Sequence, residues 1–255
     1  QTCALPISSS NPVCAGTSVT YTAYGTGGGP GATYEFFVNG VSVQNTTSPS
    51  YSYVPANGDQ VYVVMTSSYT ENVIGNPATS ETVTMTVNPI PAAPTVTANG
   101  ATTFCAGGSV TLTSSYTGGN LWSNGATTDA ITVSTSGNYS VVYTSAAGCP
   151  SAASTPVAVT VNANPVVTIT GSNSFCSNSS TTLSASATAG SGSITGYAWT
   201  LNGTTALGTA ATQSANAAGS YAVTVTNSNG CSTTSAGFTL SSVAAPVAGI
   251  TAACN

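Results

Sequence analysis

Few residues in this 255-residue sequence are of a type that does acid–base or metal chemistry. There are five carboxylates and no histidine, lysine or arginine; the carboxylates are Glu35, Asp59, Glu71, Glu81 and Asp129. Glycoside hydrolysis needs two carboxylates facing each other across a sugar, and a calcium site needs several in one loop. No predicted loop holds two of the five, and the serines have no histidine or lysine base to activate them. The sequence therefore predicts no catalytic residue, metal ligand or cofactor, and it argues against an enzyme.

The charge of the chain restricts its partners. Charged residues make up 2% of the sequence, and the formal net charge is −5. Without cations nothing can neutralise phosphates, so nucleic acids and anionic membrane surfaces are poor partners. No apolar run approaches the roughly 18–20 residues needed to span a bilayer. We therefore expect neither nucleic-acid binding nor membrane insertion.

The cysteines indicate the compartment. Seven cysteines favour an oxidising environment. The numbering starts at Gln1, without an initiator Met or an apolar leader, which favours a mature protein whose signal peptide has been removed. We expect an extracellular protein, secreted or held at the cell surface.

Apolar residues alternate with threonine and serine along most of the chain. This period-2 pattern is typical of half-buried strands, and it is clearest at 61–66, 82–87, 157–161 and 221–226. Asn-Gly pairs, which favour tight hairpin turns, interrupt these runs. No segment shows helical periodicity over a useful length, so the sequence predicts an all-β fold.

The pattern repeats three times. Residues 104–112 recur as residues 175–183, and more loosely as residues 13–21. Proline-bearing junctions separate the repeats, which predicts domains at 1–89, 90–163 and 164–243, followed by a tail at 244–255. We call the three domains copies 1, 2 and 3. Each copy has six or seven short strands, which fits a two-sheet sandwich.

Two cysteines recur at matching places in copies 2 and 3. One opens the second strand, at Cys105 and Cys176, and the other follows a glycine, at Cys149 and Cys231. An inter-sheet bridge within each copy would pair Cys105 with Cys149 and Cys176 with Cys231.

The three blocks resemble the immunoglobulin-like or PKD-like repeats of large secreted surface proteins and gliding adhesins of Bacteroidota. The motifs that carry the resemblance are Cys-Ala-Gly-x-Ser-Val-Thr at 14–20 and 105–111, Val-Asn-Gly-Val at 38–41, Asn-Gly-Asp at 57–59, and Gly-x-Tyr-x-Val at 137–141 and 219–223. The resemblance implies three tandem immunoglobulin-like β-sandwich domains with an adhesive or structural role. It also implies a core aromatic residue in each copy, at Phe36, Trp122 and Trp199. Copy 1 departs from the pattern because it lacks the second cysteine.

Three cysteines remain after these pairings: Cys3, Cys14 and Cys254. A Cys3–Cys14 bridge within copy 1 is one solution, although strand geometry disfavours it. An odd cysteine count in a secreted protein otherwise suggests a bond between molecules.

The tail offers such a bond. Residues 245–254 resemble the segment that opens copy 2, so we expect an extra C-terminal strand. This strand would join the first domain of a neighbouring subunit through Val247 and Ile250, as in strand addition to a sheet edge. Cys254 would then bond the neighbour's Cys14 or Cys3. The alternative is an unattached tail with an unpaired thiol.

Tyrosines are concentrated in copy 1, where Tyr51, Tyr53 and Tyr69 are candidates for a recognition surface for sugar rings or another protein. The alternative is that the tyrosines of this copy fill its core in place of the missing tryptophan.

These observations predict a secreted structural subunit that polymerises head to tail into an extracellular filament with an adhesive or matrix role, its main partner being further copies of itself. The alternative is a monomeric cell-surface adhesin that uses copy 1 to bind surface glycans or other cells.

Overall fold

The computed structural model of the chain describes residues 2–3, 7–69 and 75–244. These residues form strands, turns and bends but no helix, which confirms the all-β prediction. It follows that this part of the chain has no helix that could cross a bilayer.

The strands are short and follow one another closely. In copy 1 they are β1 Thr2–Cys3, β2 Ile7–Ser8, β3 Val13–Cys14, β4 Val19–Thr22, β5 Gly25–Thr26, β6 Thr33–Val38, β7 Val41–Thr46, β8 Ser50–Tyr53, β9 Gln60–Thr66, β10 Ala78–Thr79, β11 Val83–Thr84 and β12 Val87–Asn88. In copy 2 they are β13 Val96–Ala98, β14 Thr103–Cys105, β15 Val110–Ser114, β16 Asn120–Trp122, β17 Ala130–Val133, β18 Gly137–Tyr139, β19 Val141–Tyr143 and β20 Val157–Asn162. In copy 3 they are β21 Val166–Thr170, β22 Ser174–Cys176, β23 Thr181–Thr188, β24 Ile194–Leu201, β25 Thr205–Ala206, β26 Thr212–Ala215, β27 Gly219–Asn227, β28 Ser232–Thr234 and β29 Phe238–Val243.

Among the described residues, every ladder pairs strands of one copy. Contacts between residues nevertheless divide the chain into two compact units, and this division passes through copy 2. The first unit contains residues 1–96, 114–129 and 140–155, and the second contains residues 97–113, 130–139 and 156–255. The predicted tail lies outside the described residues, apart from residue 244.

The first unit is built on two antiparallel sheets of copy 1. One has the strand order β10-β9-β6-β7, with β11 also on β9, and the other has the order β2-β4-β8. Alternation along β9 turns Val61, Val63 and Met65 inward, each with no exposed surface. The two valines pack with Phe36 and Tyr21 in one apolar core. The β16–β19 pair also belongs to this unit.

The pairs β1–β5 and β3–β12 also lie in the first unit, and the second unit contains the other sheets of copies 2 and 3. In copy 2 they have the orders β13-β15-β17 and β14-β20-β18; in copy 3 they have the orders β21-β23-β26 and β22-β29-β27-β24-β25, with β28 on β27. Strand β27 buries alternate residues, and Trp199 from β24 packs with them in the core of copy 3. The period-2 pattern of the sequence therefore corresponds to the inward face of real strands.

The Asn39-Gly40 pair forms a two-residue hairpin between β6 and β7. Both residues have positive φ, 52° and 79°, and the flanking residues Val38 and Val41 face each other in the ladder. A two-residue turn of this kind requires positive φ at both positions, which asparagine and glycine tolerate best.

Candidate functional site

Asp59 lies at a turn in copy 1 and holds that turn together. Its Oδ1 accepts a hydrogen bond from the amide of Asn39 at 2.8 Å, and its Oδ2 accepts bonds from the backbone N–H of Ala56 at 2.9 Å and from the hydroxyl of Tyr53 at 3.1 Å. Burial by itself would raise the pKa of Asp59, but these three hydrogen bonds outweigh it and lower the pKa. Both carboxylate oxygens are therefore occupied by donors of the fold.

The other described carboxylates, Asp129, Glu35 and Glu81, have different surroundings. Asp129 Oδ1 accepts hydrogen bonds from the backbone of Gly118 at 2.6 Å and the amide of Asn120 at 3.0 Å. Glu35 accepts a bond from Ser42 Oγ at 2.7 Å, and Glu81 is exposed. In the described part of the chain, no three cysteine and carboxylate side chains group in a way that would hold a metal ion. Glu71 lies outside the described residues.

The disulfides differ from the predicted pairing. The structure bonds Cys14 to Cys149 and Cys105 to Cys231, each with a Cα–Cα distance of 5.6 Å. The predictions Cys105–Cys149 and Cys176–Cys231 were therefore wrong. Each observed bridge joins a cysteine that ends a short strand of one copy, Cys14 in β3 or Cys105 in β14, to the cysteine after a glycine in the next copy.

The position of Cys105, at the end of β14, explains the pairing of Cys105 with Cys231. Cys105 pairs in parallel register with Asn162, the last residue of copy 2's final strand, and Ala106 N–H donates to Asn162 O at 2.8 Å. From Asn162 the chain runs on into copy 3, and Cys231 Sγ lies 3.9 Å from the Asn162 carbonyl oxygen. The thiol of Cys105 is thus placed at the end of its copy, beside a hairpin of the following copy.

Hydrogen bonds of one buried side chain, Asn227, hold that hairpin. Asn227 is 1% exposed, and its Oδ1 accepts the backbone N–H of Asn229 at 3.1 Å and of Cys231 at 3.0 Å. Its Nδ2 donates to the carbonyls of Ala163 at 3.2 Å and Ala189 at 3.0 Å. One buried side chain therefore fixes the cysteine turn to the segment that links copies 2 and 3. The residue four positions before the cysteine does not keep one type: it is Asn227 in copy 3 and Ser145 in copy 2, where the Ser145 hydroxyl accepts the Cys149 N–H at 3.2 Å. The sequence therefore contains no local pattern that would have identified Asn227.

The residues predicted to join subunits are only partly described. Cys14 is already bonded to Cys149, so it is not a free partner for a neighbour's Cys254, and that choice of partner was wrong. Val247, Ile250 and Cys254 lie outside the described residues, as does the side chain of Cys3. Cys176, predicted to be bridged, is an exposed free cysteine.

The three predicted core aromatics are buried, with Phe36 at 0% exposure and Trp122 and Trp199 at 1%. Each tryptophan also satisfies its ring N–H: Trp122 donates to Thr128 O at 2.8 Å and Trp199 to Ala210 O at 2.9 Å. Both disulfides of the described residues join one copy to the next, so neither lies within a copy.

The tyrosines of copy 1 mostly belong to its core. Tyr21 is fully buried, and Tyr51 and Tyr53 are half-buried, stacked on each other at 5.5 Å between ring centroids and packed against the core. Tyr51 and Tyr53 therefore do not form an open recognition surface, because they pack against the core that contains Phe36. Tyr69 is 54% exposed, and Tyr24, which the site prediction left out, is 56% exposed.

Comparison with known proteins gives a partial match. Residues 162–241 match a family model described as a PKD domain. The human OSCAR ligand-binding domain is a similar solved structure, at 12% identity over 59% of this chain and 100% of that one; its TM-score of 0.27 is too low to support a conclusion. No curated protein matches the sequence significantly. The matched range runs from the end of β20 to β29, so copy 3 is similar to a PKD domain.

Proposed function

We propose that the chain is a structural module of an extracellular protein and that it limits extension when the protein is pulled. The observation that carries this proposal is the pair of disulfides that join successive copies, Cys14–Cys149 and Cys105–Cys231. Disulfides of this kind persist in oxidising compartments. The similarity of copy 3 to a PKD domain fits an adhesive or structural module.

The two bridges close overlapping loops, because residues 105–149 belong to both. The shortest covalent path from residue 14 to residue 231 crosses to Cys149, runs back to Cys105 and crosses to Cys231. That path contains 44 residues (149 − 105 = 44), against 217 along the backbone (231 − 14 = 217). The overlap therefore shortens the stretch that can be pulled out, even if every strand unfolds.

The chemistry of the chain suits exposure outside a cell. With no lysine or arginine, trypsin-like proteases have no cleavage site. With no histidine and five carboxylates, few groups change charge between pH 5 and 8.

Single-molecule force extension tests the proposal. At about 3.4 Å per residue, the segment between residues 14 and 231 extends to about 150 Å with both bridges intact and to about 740 Å after reduction. Pulling the oxidised chain from its two ends should show the shorter length, and adding a reductant should release the rest. An oxidised chain that extends to its full backbone length would overturn the proposal.

A matched variant separates the two bridges. Cys105→Ser with Cys231→Ser leaves Cys14–Cys149, so the path from 14 to 231 contains 82 residues (231 − 149 = 82) and extends to about 280 Å. An intermediate length in this variant would show that the overlap of the loops sets the limit. A length equal to that of the intact chain would exclude the Cys105–Cys231 bridge from the load path.

Head-to-tail polymerisation is the finer form of this proposal. It rests on the sequence of residues 245–255, which resembles the segment that opens copy 2. The bond of Cys14 to Cys149 leaves Cys3 as the neighbour's partner for Cys254 among the two predicted candidates. Non-reducing electrophoresis should show a ladder of oligomers that Cys254→Ser abolishes. The adhesin alternative has less support, because two of its three tyrosines pack against the core of copy 1.

A further inference from the structure

Cys176 lies in the same structural position as the bridged cysteines Cys14 and Cys105, because each is the last residue of a short strand. In each copy this cysteine pairs in parallel with the last strand: Cys14 with Asn88, Cys105 with Asn162 and Cys176 with Val243. The residue after each cysteine donates its N–H to the same partner's carbonyl, at 2.9, 2.8 and 2.8 Å. The cysteines of the three copies therefore share the same backbone contacts.

The turn that follows is also the same. The carbonyl of each of these cysteines accepts the backbone N–H three residues on, from Thr17 at 3.1 Å, Gly108 at 3.0 Å and Ser179 at 3.0 Å. Two of the three positions carry a bridge to the following copy, and the third, Cys176, is free and exposed. In these backbone contacts Cys176 matches its bonded counterparts.

The sequence after Cys176's strand partner supports the comparison. Asn162 is followed by Ala-Asn-Pro-Val, which leads into copy 3, the copy that supplies Cys231. Val243 is followed by Ala-Ala-Pro-Val at the same spacing. The residues that follow copy 3 thus repeat the sequence of the junction between copy 2 and copy 3, the copy that bonds Cys105.

We propose that Cys176 forms a third inter-copy disulfide, with the cysteine that follows glycine in the hairpin of a further PKD-like copy. That copy is either a later part of the same polypeptide or part of a second molecule, and its cysteine is neither Cys149 nor Cys231, because these two are already bonded. The inference rests on the proposed structural function and extends its two bridges to a series.

The bond forms by thiol–disulfide exchange with a disulfide-containing oxidant, such as oxidised glutathione or a disulfide oxidoreductase. The Cys176 thiolate attacks one sulfur of the oxidant, which breaks its disulfide and releases one thiolate that takes up a proton. The thiolate of the partner copy then attacks the Cys176 sulfur and releases the second thiol. Two protein thiols are oxidised by two electrons, and the oxidant is reduced to two thiols.

A four-copy chain tests the pairing directly. It consists of residues 1–246 followed by a second set of residues 166–243, in which the duplicate of Cys176 is replaced by serine and the duplicate of Cys231 is kept. After refolding in glutathione buffer, Cys176 should be protected from alkylation as fully as Cys14 and Cys105 are. Digestion with chymotrypsin should yield residues 176–183 joined to the peptide that contains the duplicated Cys231.

The control is the same chain with the duplicated Cys231 replaced by serine, in which Cys176 should react fully with the alkylating agent. The proposal is overturned if Cys176 still reacts in the four-copy chain while Cys14–Cys149 and Cys105–Cys231 have formed. Such a result would contradict only the third disulfide, because the first two bridges would still limit the extension of the chain.

The protein isolated from its natural source identifies where the partner lies. If the intact protein keeps its size on reduction and its digest contains residues 176–183 joined to a Gly-Cys peptide, the partner lies in the same polypeptide. If the intact protein separates into smaller chains on reduction and gives the same joined peptides, the partner lies in a second molecule. Recovery of Cys176 as a free thiol, or bonded to a small thiol such as glutathione, overturns the proposal.

Discussion

At the scale of single residues, this protein uses its rare charges to hold turns in place. Asp59 accepts hydrogen bonds from an asparagine amide, a backbone N–H and a tyrosine hydroxyl. Burial is the main reason that the pKa of Tyr53 is raised, so its hydroxyl stays protonated and remains a donor to Asp59. A carboxylate can accept all three bonds at once, whereas a neutral amide would present its own N–H groups to one of these donors.

We predict that Asp59→Asn lowers the free energy of unfolding at pH 7 by about 1 kcal/mol, because it weakens these hydrogen bonds. The folded-state pKa of Asp59 is below the unfolded value near 3.8, so its contribution is complete above that value and is lost as the pH falls through the folded-state pKa. Denaturant titration should therefore show a gap between wild type and variant at pH 7 that shrinks toward pH 2. Glu81→Gln, at an exposed site, is the control, and an equal gap at both pH values would contradict the prediction.

At the scale of strands, one buried serine in each copy joins two backbone segments. Its Oγ accepts the N–H of a valine, and its own N–H donates to the carbonyl of the same valine at 2.9 Å in all three copies. The Oγ distances are 3.0, 3.1 and 3.1 Å, for the pairs Ser80 with Val63, Ser154 with Val141 and Ser235 with Val223. Because serine is abundant throughout the sequence, these three positions could not be singled out before the strands were placed.

We predict that Ser235→Ala destabilises the fold by about 1–3 kcal/mol, because it leaves the buried N–H of Val223 without its side-chain acceptor. Denaturant titration gives the loss of stability, and hydrogen exchange should show faster exchange at the Val223 N–H. Ser232→Ala is the matched control, because Ser232 is exposed in the neighbouring strand β28. Unchanged exchange at Val223 would show that another acceptor takes the place of the serine.

At the scale of the whole molecule, the bridges connect residues that are distant in sequence. The two loops have sequence separations of 135 and 126 residues. Closing loops of this length removes much of the conformational freedom of the unfolded chain. The same bridges that limit extension should therefore also stabilise the fold.

We predict that the double variant Cys14→Ser with Cys149→Ser loses about 2–5 kcal/mol of stability relative to wild type. The double change avoids leaving one unpaired thiol at Cys149, which is fully buried. Cys176→Ser is the control and should leave the melting temperature unchanged, since Cys176 is exposed and unbonded in this chain. A melting temperature that is equal in the double variant and wild type would contradict a stabilising bridge.

The sequence by itself determined the all-β class of this protein and its core aromatics. Alternation of apolar and polar residues has one structural meaning in a strand, because successive side chains point to opposite faces. Phe36, Trp122 and Trp199 are the large apolar residues of a recurring block, and each is buried. The all-β class depends on neighbours in the sequence, so it could be predicted without the fold, whereas the core aromatics followed from the resemblance to immunoglobulin-like repeats.

Only the tertiary structure decided the disulfides. Bridges within copies 2 and 3 leave Cys14 unpaired, and bridges between successive copies leave Cys176 unpaired, so counting cysteines cannot separate the two schemes. A disulfide requires Cα atoms within about 7 Å of each other. The parallel register that places Cys105 beside Asn162, at the exit from its copy, brings Cys231 to a Cα distance of 5.6 Å. Such a distance depends on residues more than a hundred positions apart, and no local pattern encodes it.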